Sequence, residues 1–428
     1  MKTVFMIAPY FVPRRRVGSL RPYKFAIHLQ SFGWKPVICT IEDSSSELTA
    51  AEQKALHGIE ILPVNPPFDR TAAPPASGSK DKRDSLMKKA GNWLADWFDR
   101  QVPMDSWIFL FRSSYGKILE EARSAEPDLI WSTGDPWSGH WLGHKLSQDL
   151  KKPWIADFRD PWTLTDLNLR ERSRFSAWAD RKLESIFIAA ADKVIFTSKS
   201  AEVRYRDYYE LDNKKTATLY NSYYPSEPDR DAQEWQSELD PDKLNLLFFG
   251  SFRRLSPVQP IANALEKLDD SDKKKIRVHS FGSLDENDSL LLEKLGLSDI
   301  FEVHEKVVPG QAASVLTKAD LLLVSTSGDR KNIIPAKLWE YLSTEKPILS
   351  ITPNPEIGEI LEKTGAGIHF SNGESEQIAD FLSGALQNKF SGKKLIDTNR
   401  RPDVISGYSS ESTTKDLVRI MEDLLEDG

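Results

Sequence analysis

Residues 332–342 combine a lysine and a glutamate in a pattern that fits a bound nucleoside diphosphate. A helix is predicted to begin near Pro335, because a first helical turn does not need the N–H group that proline lacks. The free N–H groups of that turn and the ammonium of Lys337 favour a phosphate ligand. Glu340 lies three residues further on the same helix face, where it can accept hydrogen bonds from two vicinal hydroxyls, as on a ribose.

A second candidate anion site lies in the loop after the first predicted strand, at residues 9–21. The loop lacks the G-x-G-x-x-G pattern, which argues against a nicotinamide or flavin dinucleotide. Gly18 and Ser19 precede a predicted helix and can present backbone N–H groups to a phosphate. Four arginines occur within eight residues, among them Arg15 and Arg21. We interpret the loop as contacting phosphate or an acceptor; the alternative is a simple helix cap beside solvated arginines.

Two further loops carry candidate acid and base groups. His140 closes the segment 132–140, which also contains Asp135, and its ordinary pKa of about 6.5 suits proton transfer or a hydrogen bond to a substrate hydroxyl. Asp157 and Asp160 follow another predicted strand and are candidates for binding hydroxyls or accepting a proton.

Each of these groups also has a structural interpretation. His140 can be a satisfied core histidine, and Arg159 can form an ion pair that closes the loop between the two aspartates. The D-x-x-D spacing of that loop differs from the D-x-D metal motif, and no His, Cys or Asp cluster has convincing ligand spacing. The sequence therefore predicts no obligatory metal.

The elements that position these residues alternate along the chain, as is typical of a parallel sheet covered on both faces. Strands are predicted at residues 4–8, 36–40, 128–132, 154–157, 193–197, 244–249, 277–281, 321–325 and 347–351. Helices are predicted at residues 20–32, around 141–146, and at 177–191, 259–268 and 411–425. The fold class is α/β, with two Rossmann-like doubly wound parallel-sheet domains facing across a cleft.

A polar, acidic stretch divides this pattern into two halves. We predict an N-terminal domain at residues 1–225, a linker at 226–242, a C-terminal domain at 243–405, and a helix at 406–428 that packs back near the domain junction. The segments 190–198 and 318–326 echo each other, each with a helix end, an Asp turn and a buried strand. Ligands of such sheets bind at the carboxyl ends of the strands.

The region around residues 332–349 resembles the donor-binding segment of GT-B glycosyltransferases, particularly family 4, the group 1 enzymes of bacterial polysaccharide biosynthesis. In that family, two glutamates with seven residues between them contact the donor sugar and the nucleotide ribose. Glu340 matches the second, and Asn332 stands at the first, where an amide can still bind a sugar hydroxyl. The usual glycine three residues after the first glutamate is Pro335 here.

The segment 246–254 is similar to the first strand of the family's nucleotide domain. In the family, a basic residue soon after the glycine corresponding to Gly250 neutralises the donor pyrophosphate. The resemblance implies Arg253 for this role, with Arg254 as the alternative.

The resemblance implies a metal-independent glycosyltransferase that moves a sugar from a UDP- or GDP-linked donor to a glycan or lipid-linked acceptor, with retention of configuration and no cofactor. The donor-binding residues are then Gly18, Ser19, Gly250, Arg253, Arg254, Asn332, Ile334, Lys337 and Glu340. The catalytic candidates are His140, Asp157 and Asp160, and the acceptor-binding candidates are Arg15, Arg21, Asp135 and Arg159.

Composition limits the protein class and the compartment. The chain has 428 residues, of which 39% are hydrophobic and 28% charged, so a folded core is expected. A net charge of -7 argues against a nucleic-acid partner, and the single cysteine, Cys39, fits a reducing cytoplasm. Residues 83–100 place apolar and aromatic side chains at helical spacing, which fits a helix in contact with the inner-membrane surface; such a stripe is more often a core helix or a lid.

Two other functions stay open at this stage. A nucleotide-sugar epimerase shares a fold with two similar domains and needs no acceptor. A non-catalytic glycan- or nucleotide-binding partner of a polysaccharide assembly complex is compatible with the neutral amide at Asn332.

Overall fold

The computed structural model describes most of the chain. The described residues are 1–14, 16–43, 46–65, 100–165, 172–224, 239–307, 309–396 and 399–426. Arg15, most of the predicted linker at 226–242 and most of the predicted membrane-contact helix at 83–100 lie outside them. Within the described residues, no helix is both long enough and apolar enough to cross a membrane.

The chain folds into two compact units. The first contains residues 1–220 and 410–428, and the second contains residues 221–409. The C-terminal segment therefore returns to the unit in which the chain begins.

The first unit contains a parallel sheet of seven strands. These are β1 (Lys2–Ile7), β2 (Trp34–Ile41), β3 (Glu60–Val64), β4 (Leu129–Gly134), β5 (Trp154–Phe158), β6 (Lys193–Phe196) and β7 (Thr216–Thr218). The helices are α1 (Val17–Leu29), α2 (Ala50–Ala55), α3 (Trp107–Ser124), α4 (Ser138–Leu150), α5 (Arg174–Ala190) and α6 (Lys199–Tyr209). The strand order is β3-β2-β1-β4-β5-β6-β7.

Both faces of this sheet are buried. Phe5 and Ile7 of β1 belong to one hydrophobic cluster, whereas Val4 and Met6 belong to another. Successive side chains of a strand point to opposite faces, so helices cover the sheet on both sides.

The second unit repeats this arrangement with six parallel strands. These are β8 (Leu244–Phe248), β9 (Ile276–Phe281), β10 (Phe301–His304), β11 (Leu321–Ser325), β12 (Ile348–Ile351) and β13 (Gly367–Phe370), in the order β10-β9-β8-β11-β12-β13. The helices are α7 (Gln259–Glu266), α8 (Asp270–Lys273), α9 (Glu286–Lys294), α10 (Pro309–Lys318), α11 (Ala336–Leu342), α12 (Pro355–Thr364), α13 (Ser375–Phe390) and α14 (Pro402–Ser406). Both sheets thus contain the doubly wound 3-2-1-4-5-6 order.

The C-terminal helix, α15 (Ser410–Glu426), packs against α1 of the first unit. Leu417 and Met421 are buried in the same cluster as Phe25 and Leu29. Their spacing of four residues places both pairs on one face of their helices, which explains the amphipathic pattern of this segment.

The predicted α/β class with two doubly wound parallel sheets is confirmed. The central strands agree with the prediction to within a few residues at their ends. The sequence analysis did not predict four strands, β3, β7, β10 and β13, which are the edge strands of the two sheets. The side chains of β10 and β13 are half-buried or exposed, so these strands lack the continuous apolar run that identifies a central parallel strand.

A buried ion pair joins α1 to the end of β5. Arg21 Nε donates to Asp157 Oδ2 at 2.8 Å, and both side chains are buried. The other nitrogens of the guanidinium donate to the carbonyl oxygens of Leu219 and Tyr220, both at 3.0 Å. Burial raises the pKa of Asp157, and the positive charge of Arg21 opposes that shift. The contact fixes the loop after β1 relative to the loop after β5.

Replacing Arg21 by methionine is expected to lower the free energy of unfolding by ~3–5 kcal/mol, because the Asp157 carboxylate stays buried without its cation. The double variant Arg21→Met, Asp157→Asn should recover part of this loss. Urea unfolding of both single variants and the double variant measures the coupling. Lys54→Met, at an exposed position of α2, is the control and should change stability by about 0.5 kcal/mol or less. Additive effects of the two substitutions would contradict the assignment.

Candidate functional site

The strand order reverses direction between β8 and β11 in the second unit, and the candidate donor residues lie beside that point. In a doubly wound sheet, the connections from these two neighbouring strands run to opposite faces, which leaves a crevice at their carboxyl ends. Gly250 follows β8 by two residues, and the loop after β11 leads to Asn332 and α11.

Lys337 of α11 extends to the loop after β8. Its Nζ lies 3.5 Å from the centroid of the Phe248 ring, at a distance suited to a cation–π contact. A Cβ atom at Gly250 would lie 3.3 Å from the same Nζ, and the φ of +139° at Gly250 is one that residues with a side chain rarely adopt. Within the described residues, Lys337 Nζ makes no hydrogen bond and no ion pair. A half-buried ammonium therefore has unused donor capacity.

Positive charge predominates around this ammonium. Burial, reinforced by the charges of Arg330 and Arg253, lowers the pKa of Lys337 to about 7, and Glu340 acts in the opposite direction. A bound anion stabilises such a group of cations, because it offsets the repulsion between them. Since α11 has only seven residues, we attribute the anion preference to these side chains and not to the helix dipole.

The two adjacent arginines of the loop after β8 have different surroundings. The side chain of Arg254 forms an ion pair with Asp329 at 3.1 Å, with both groups partly exposed. Arg253 is the one of the two whose charge acts on Lys337. Ile334 is buried, and Asn332 and Glu340 are half-buried. Their roles toward a donor stay predictions.

Contacts that the sequence analysis did not include hold the loop after β8. The Phe249 N–H donates to the Tyr341 hydroxyl at 2.9 Å, so α11 is tied to the loop that it faces. The Ser280 hydroxyl donates to the Gly250 carbonyl at 3.0 Å, and a Cβ at Gly282 would lie 2.7 Å from the Gly250 carbonyl carbon. The glycine at position 282, directly after β9, was the available sequence signal for this close approach.

His140 lies at the corresponding reversal point of the first unit, between β1 and β4, and is fully buried. Its Nδ1 is 2.8 Å from the Ser132 hydroxyl, which also accepts from the Trp154 indole N–H at 2.8 Å. Because that hydroxyl still has its own proton to give, Nδ1 is the acceptor and Nε2 carries the hydrogen. Nε2 has no partner among the described residues. Burial lowers the pKa of His140 to about 3, so the neutral ring is suited to donating a hydrogen bond.

Asp105 orders the start of the helix that carries His140, and the sequence analysis missed it. Its carboxylate accepts from the Ser138 N–H at 2.9 Å, from the Ser138 hydroxyl at 2.7 Å and from the Trp107 N–H at 3.0 Å. Burial raises the pKa of Asp105 to about 6 against the effect of these bonds. Asp105 is 33 residues from Ser138, so no local motif indicates the contact.

The structure brings together Gly18, Arg159 and Asp160. Arg159 Nη2 lies 2.9 Å from Asp160 Oδ2, so the ion pair considered as an alternative in the sequence analysis is present. A Cβ at Gly18 would lie 1.8 Å from Arg159 Nη1, so any side chain at this position would displace the guanidinium from where it lies. Burial acts to lower the pKa of Arg159, but Asp160 and Asp135 outweigh it and raise that pKa.

Of the remaining polar residues near the loop after β1, some are buried and others are exposed to solvent. Ser19 is fully buried, and its N–H donates to the carbonyl of Arg16 at 2.9 Å; Arg16, and not Ser19, is the N-cap of α1. Arg14 is buried beside Asp43, whereas Arg16 is exposed and lies over the Tyr10 ring. The assignments of these residues to donor or acceptor stay predictions.

Comparisons with known proteins agree with this geometry. Residues 229–401 match the model of the family described as Glycosyl transferases group 1. None of the curated proteins compared matches the chain significantly.

Several solved structures share the fold over nearly the whole chain. Sucrose-phosphate synthase from Thermosynechococcus elongatus aligns with a TM-score of 0.66 and 14% identity, covering 100% of both chains. HepE from Anabaena, in complex with UDP, aligns with a TM-score of 0.61 and 13% identity, covering 99% of this chain and 100% of that one. WaaG, a glycosyltransferase involved in lipopolysaccharide biosynthesis, aligns with a TM-score of 0.54 and 14% identity, covering 99% and 98%.

At 13–14% sequence identity, the similarity to these structures establishes a shared fold and nothing further. The family match lies within the second unit. The chain therefore has the GT-B fold, and its residues 229–401 match the Glycosyl transferases group 1 family.

Proposed function

We propose that the protein is a glycosyltransferase that moves a sugar from a UDP- or GDP-linked donor to a glycan or lipid-linked acceptor in surface polysaccharide biosynthesis. The observation that carries the proposal is the half-buried ammonium of Lys337, which faces Gly250 at the carboxyl end of β8 and has no hydrogen-bonding partner among the described residues. The family match of residues 229–401 supports the reaction class.

The second unit supplies the groups that a diphosphate leaving group needs. When the bond between the sugar and the diphosphate breaks, negative charge accumulates on the departing phosphate oxygen. Lys337 and Arg253 stabilise this charge more in the transition state than in the ground state, which lowers the barrier. These side chains neutralise the diphosphate without a metal ion, so we propose metal-independent transfer. Glu340 binds the ribose hydroxyls and Asn332 a hydroxyl of the sugar.

The first unit supplies neutral or charge-balanced polar groups. His140 presents an N–H group, and Arg159 is balanced by Asp160 and Asp135. Such groups suit a hydroxyl-rich acceptor, with Asp160 as the group that receives the attacking proton. Two structural neighbours, HepE in complex with UDP and WaaG, which is involved in lipopolysaccharide biosynthesis, support a nucleotide-linked donor and a surface glycan.

We propose that the reaction takes place in the cytoplasm, at the cytoplasmic face of the inner membrane. Nucleotide sugars supply the donor there, and residues 83–100 carry the predicted membrane contact.

Titration calorimetry with UDP, GDP, ADP and CDP tests the donor site directly. We expect one nucleotide to bind clearly better than the others, and Glu340→Ala to weaken that binding by roughly 10–100-fold through the lost hydrogen bonds to a charged acceptor. Glu359→Ala, at an exposed position of α12, is the matched control and should leave binding unchanged. Absence of binding for all four nucleotides would refute the proposed donor site.

The affinity for the nucleoside diphosphate should fall as pH rises above about 7, by up to tenfold per pH unit, because only the ammonium form of Lys337 attracts the anion. Lys337→Arg keeps its charge over this range and should give a flat profile. Lys337→Met should bind more weakly and unfold at a higher temperature, because the fold no longer has to hold a desolvated cation. Calorimetry between about pH 7 and pH 9 and thermal unfolding measure both effects. The same pH dependence in wild type and Lys337→Arg would exclude Lys337 as the source.

The anomeric configuration of the product tests the implied course of the reaction. Retention is expected, because the family resemblance implies it. No residue stands out in the sequence as a covalent nucleophile, so same-face attack is the proposed course. Proton NMR of the product formed from the nucleotide sugar selected by calorimetry reports the configuration. An inverted product would contradict retention and leave the donor site itself intact.

A further inference from the structure

Three potential metal ligands meet on the second sheet, at a place to which the proposed reaction assigns no role. His279 Nδ1 lies 3.0 Å from His304 Nε2. Carboxylate oxygens of Glu302 lie 3.6 Å from His279 Nδ1 and 3.7 Å from His304 Nε2. Ligands that share a tetrahedral zinc ion are about 3.4 Å apart, since each bond is about 2.1 Å long. The three groups already have close to this spacing.

Strand pairing brings these residues together. β9 and β10 are parallel, with Glu302 directly opposite His279. His304 follows Glu302 by two residues, so the alternation of a strand places it on the same face. His279 is buried, His304 is half-buried and Glu302 is exposed, which leaves one side of the cluster open to solvent.

The hydrogen bonds around His279 fix which nitrogen has a free lone pair. The amide nitrogen of Asn245 faces three acceptors, the carbonyls of Asp240 and Lys243 and a carboxylate oxygen of Asp320. The amide oxygen of Asn245 therefore faces His279 Nε2 at 3.0 Å, and Nε2 must be the donor. Nδ1 is then unprotonated and directed at His304 and Glu302.

This arrangement is the usual one around a metal-binding histidine. Such a histidine donates its other ring N–H group to a carbonyl or carboxylate, which sets the tautomer and the ring orientation. The ring of His304 is also held, because it stacks on Phe281 with a centroid distance of 4.6 Å. Without an ion, the His304 Nε2–H group donates to His279 Nδ1. To bind an ion between the two rings, His304 changes tautomer: its proton moves from its own Nε2 to its own Nδ1.

We propose that His279 Nδ1, His304 Nε2 and a carboxylate oxygen of Glu302 bind one divalent transition-metal ion of the zinc class, with at least one coordination position open to solvent. Two imidazoles and one carboxylate suit zinc, cobalt or nickel and do not suit magnesium or calcium, which prefer oxygen ligands. The ion would join the edge strand β10 to β9 and, through Asn245, to β8. The site is separate from the proposed sugar transfer and does not depend on it.

The test uses the full-length chain, freed of metal with a chelator and then dialysed. We expect one equivalent of Co²⁺ to bind with a visible absorption spectrum, Zn²⁺ to displace it, and excess Mg²⁺ to leave it in place. His304→Gln and Glu302→Gln should each weaken binding by at least about 10–100-fold. Both positions are partly open, so the variants are expected to fold, and circular dichroism checks this. His369→Gln is the control, because His369 is a half-buried histidine of the same unit on β13.

Two results would overturn the proposal. The first is no saturable binding of Co²⁺ or Zn²⁺ by the wild-type chain. The second is binding that His304→Gln and Glu302→Gln leave unchanged, or that His369→Gln weakens equally, since the ion would then lie elsewhere. Because nucleotide binding is measured separately, failure here would not affect the proposed donor site.

Discussion

The reversal of strand order within each sheet is the constraint on which the rest of the structure depends. Both faces of these sheets are buried by helices, so polar chemistry on the central strands is confined to their ends. The order reverses at β1 and β4 and again at β8 and β11, and ligands of doubly wound sheets bind at the carboxyl ends of the strands beside such a point. His140 lies on the helix that follows β4, and Lys337 lies on α11, which the loop after β11 leads to.

Both candidate sites keep polar groups in environments that disfavour them. The ammonium of Lys337 lies near the positive charges of Arg330 and Arg253. His140 Nε2 is a buried donor without a partner among the described residues. Each arrangement costs stability, since a buried polar group without its bond loses its interaction with water. The surrounding contacts hold these groups in place: Tyr341 binds the loop beside Lys337, and Asp105 orders the turn that leads to His140. Polar groups in such unfavourable surroundings, with shifted pKa values, are typical of functional sites.

Sequence patterns predicted the parts of the fold that local chemistry determines. Central strands such as β11 are continuous apolar runs, and a wholly buried parallel strand requires that pattern. The edge strand β10 contains only exposed and half-buried residues, so only its pairing with β9 defines it. The same limit applies to chemistry. Lys337 and Glu340 are three residues apart and visible as a motif, whereas His279 and His304 are 25 residues apart and meet only because their strands pair.

Gly18 and Gly250 illustrate why the two units are suited to different ligands. The sequence analysis places both glycines among the donor-binding candidates. In the structure, Gly18 lies against Arg159, whose charge is already balanced by Asp160 and Asp135, whereas Gly250 faces a lysine near Arg253 and Arg330, and Glu340 supplies the opposing charge. A neutralised ion pair stabilises a bound anion only slightly, whereas an excess of cations stabilises it strongly. We therefore propose that the diphosphate of a donor binds to the second unit and that an acceptor recognised by its hydroxyls binds to the first.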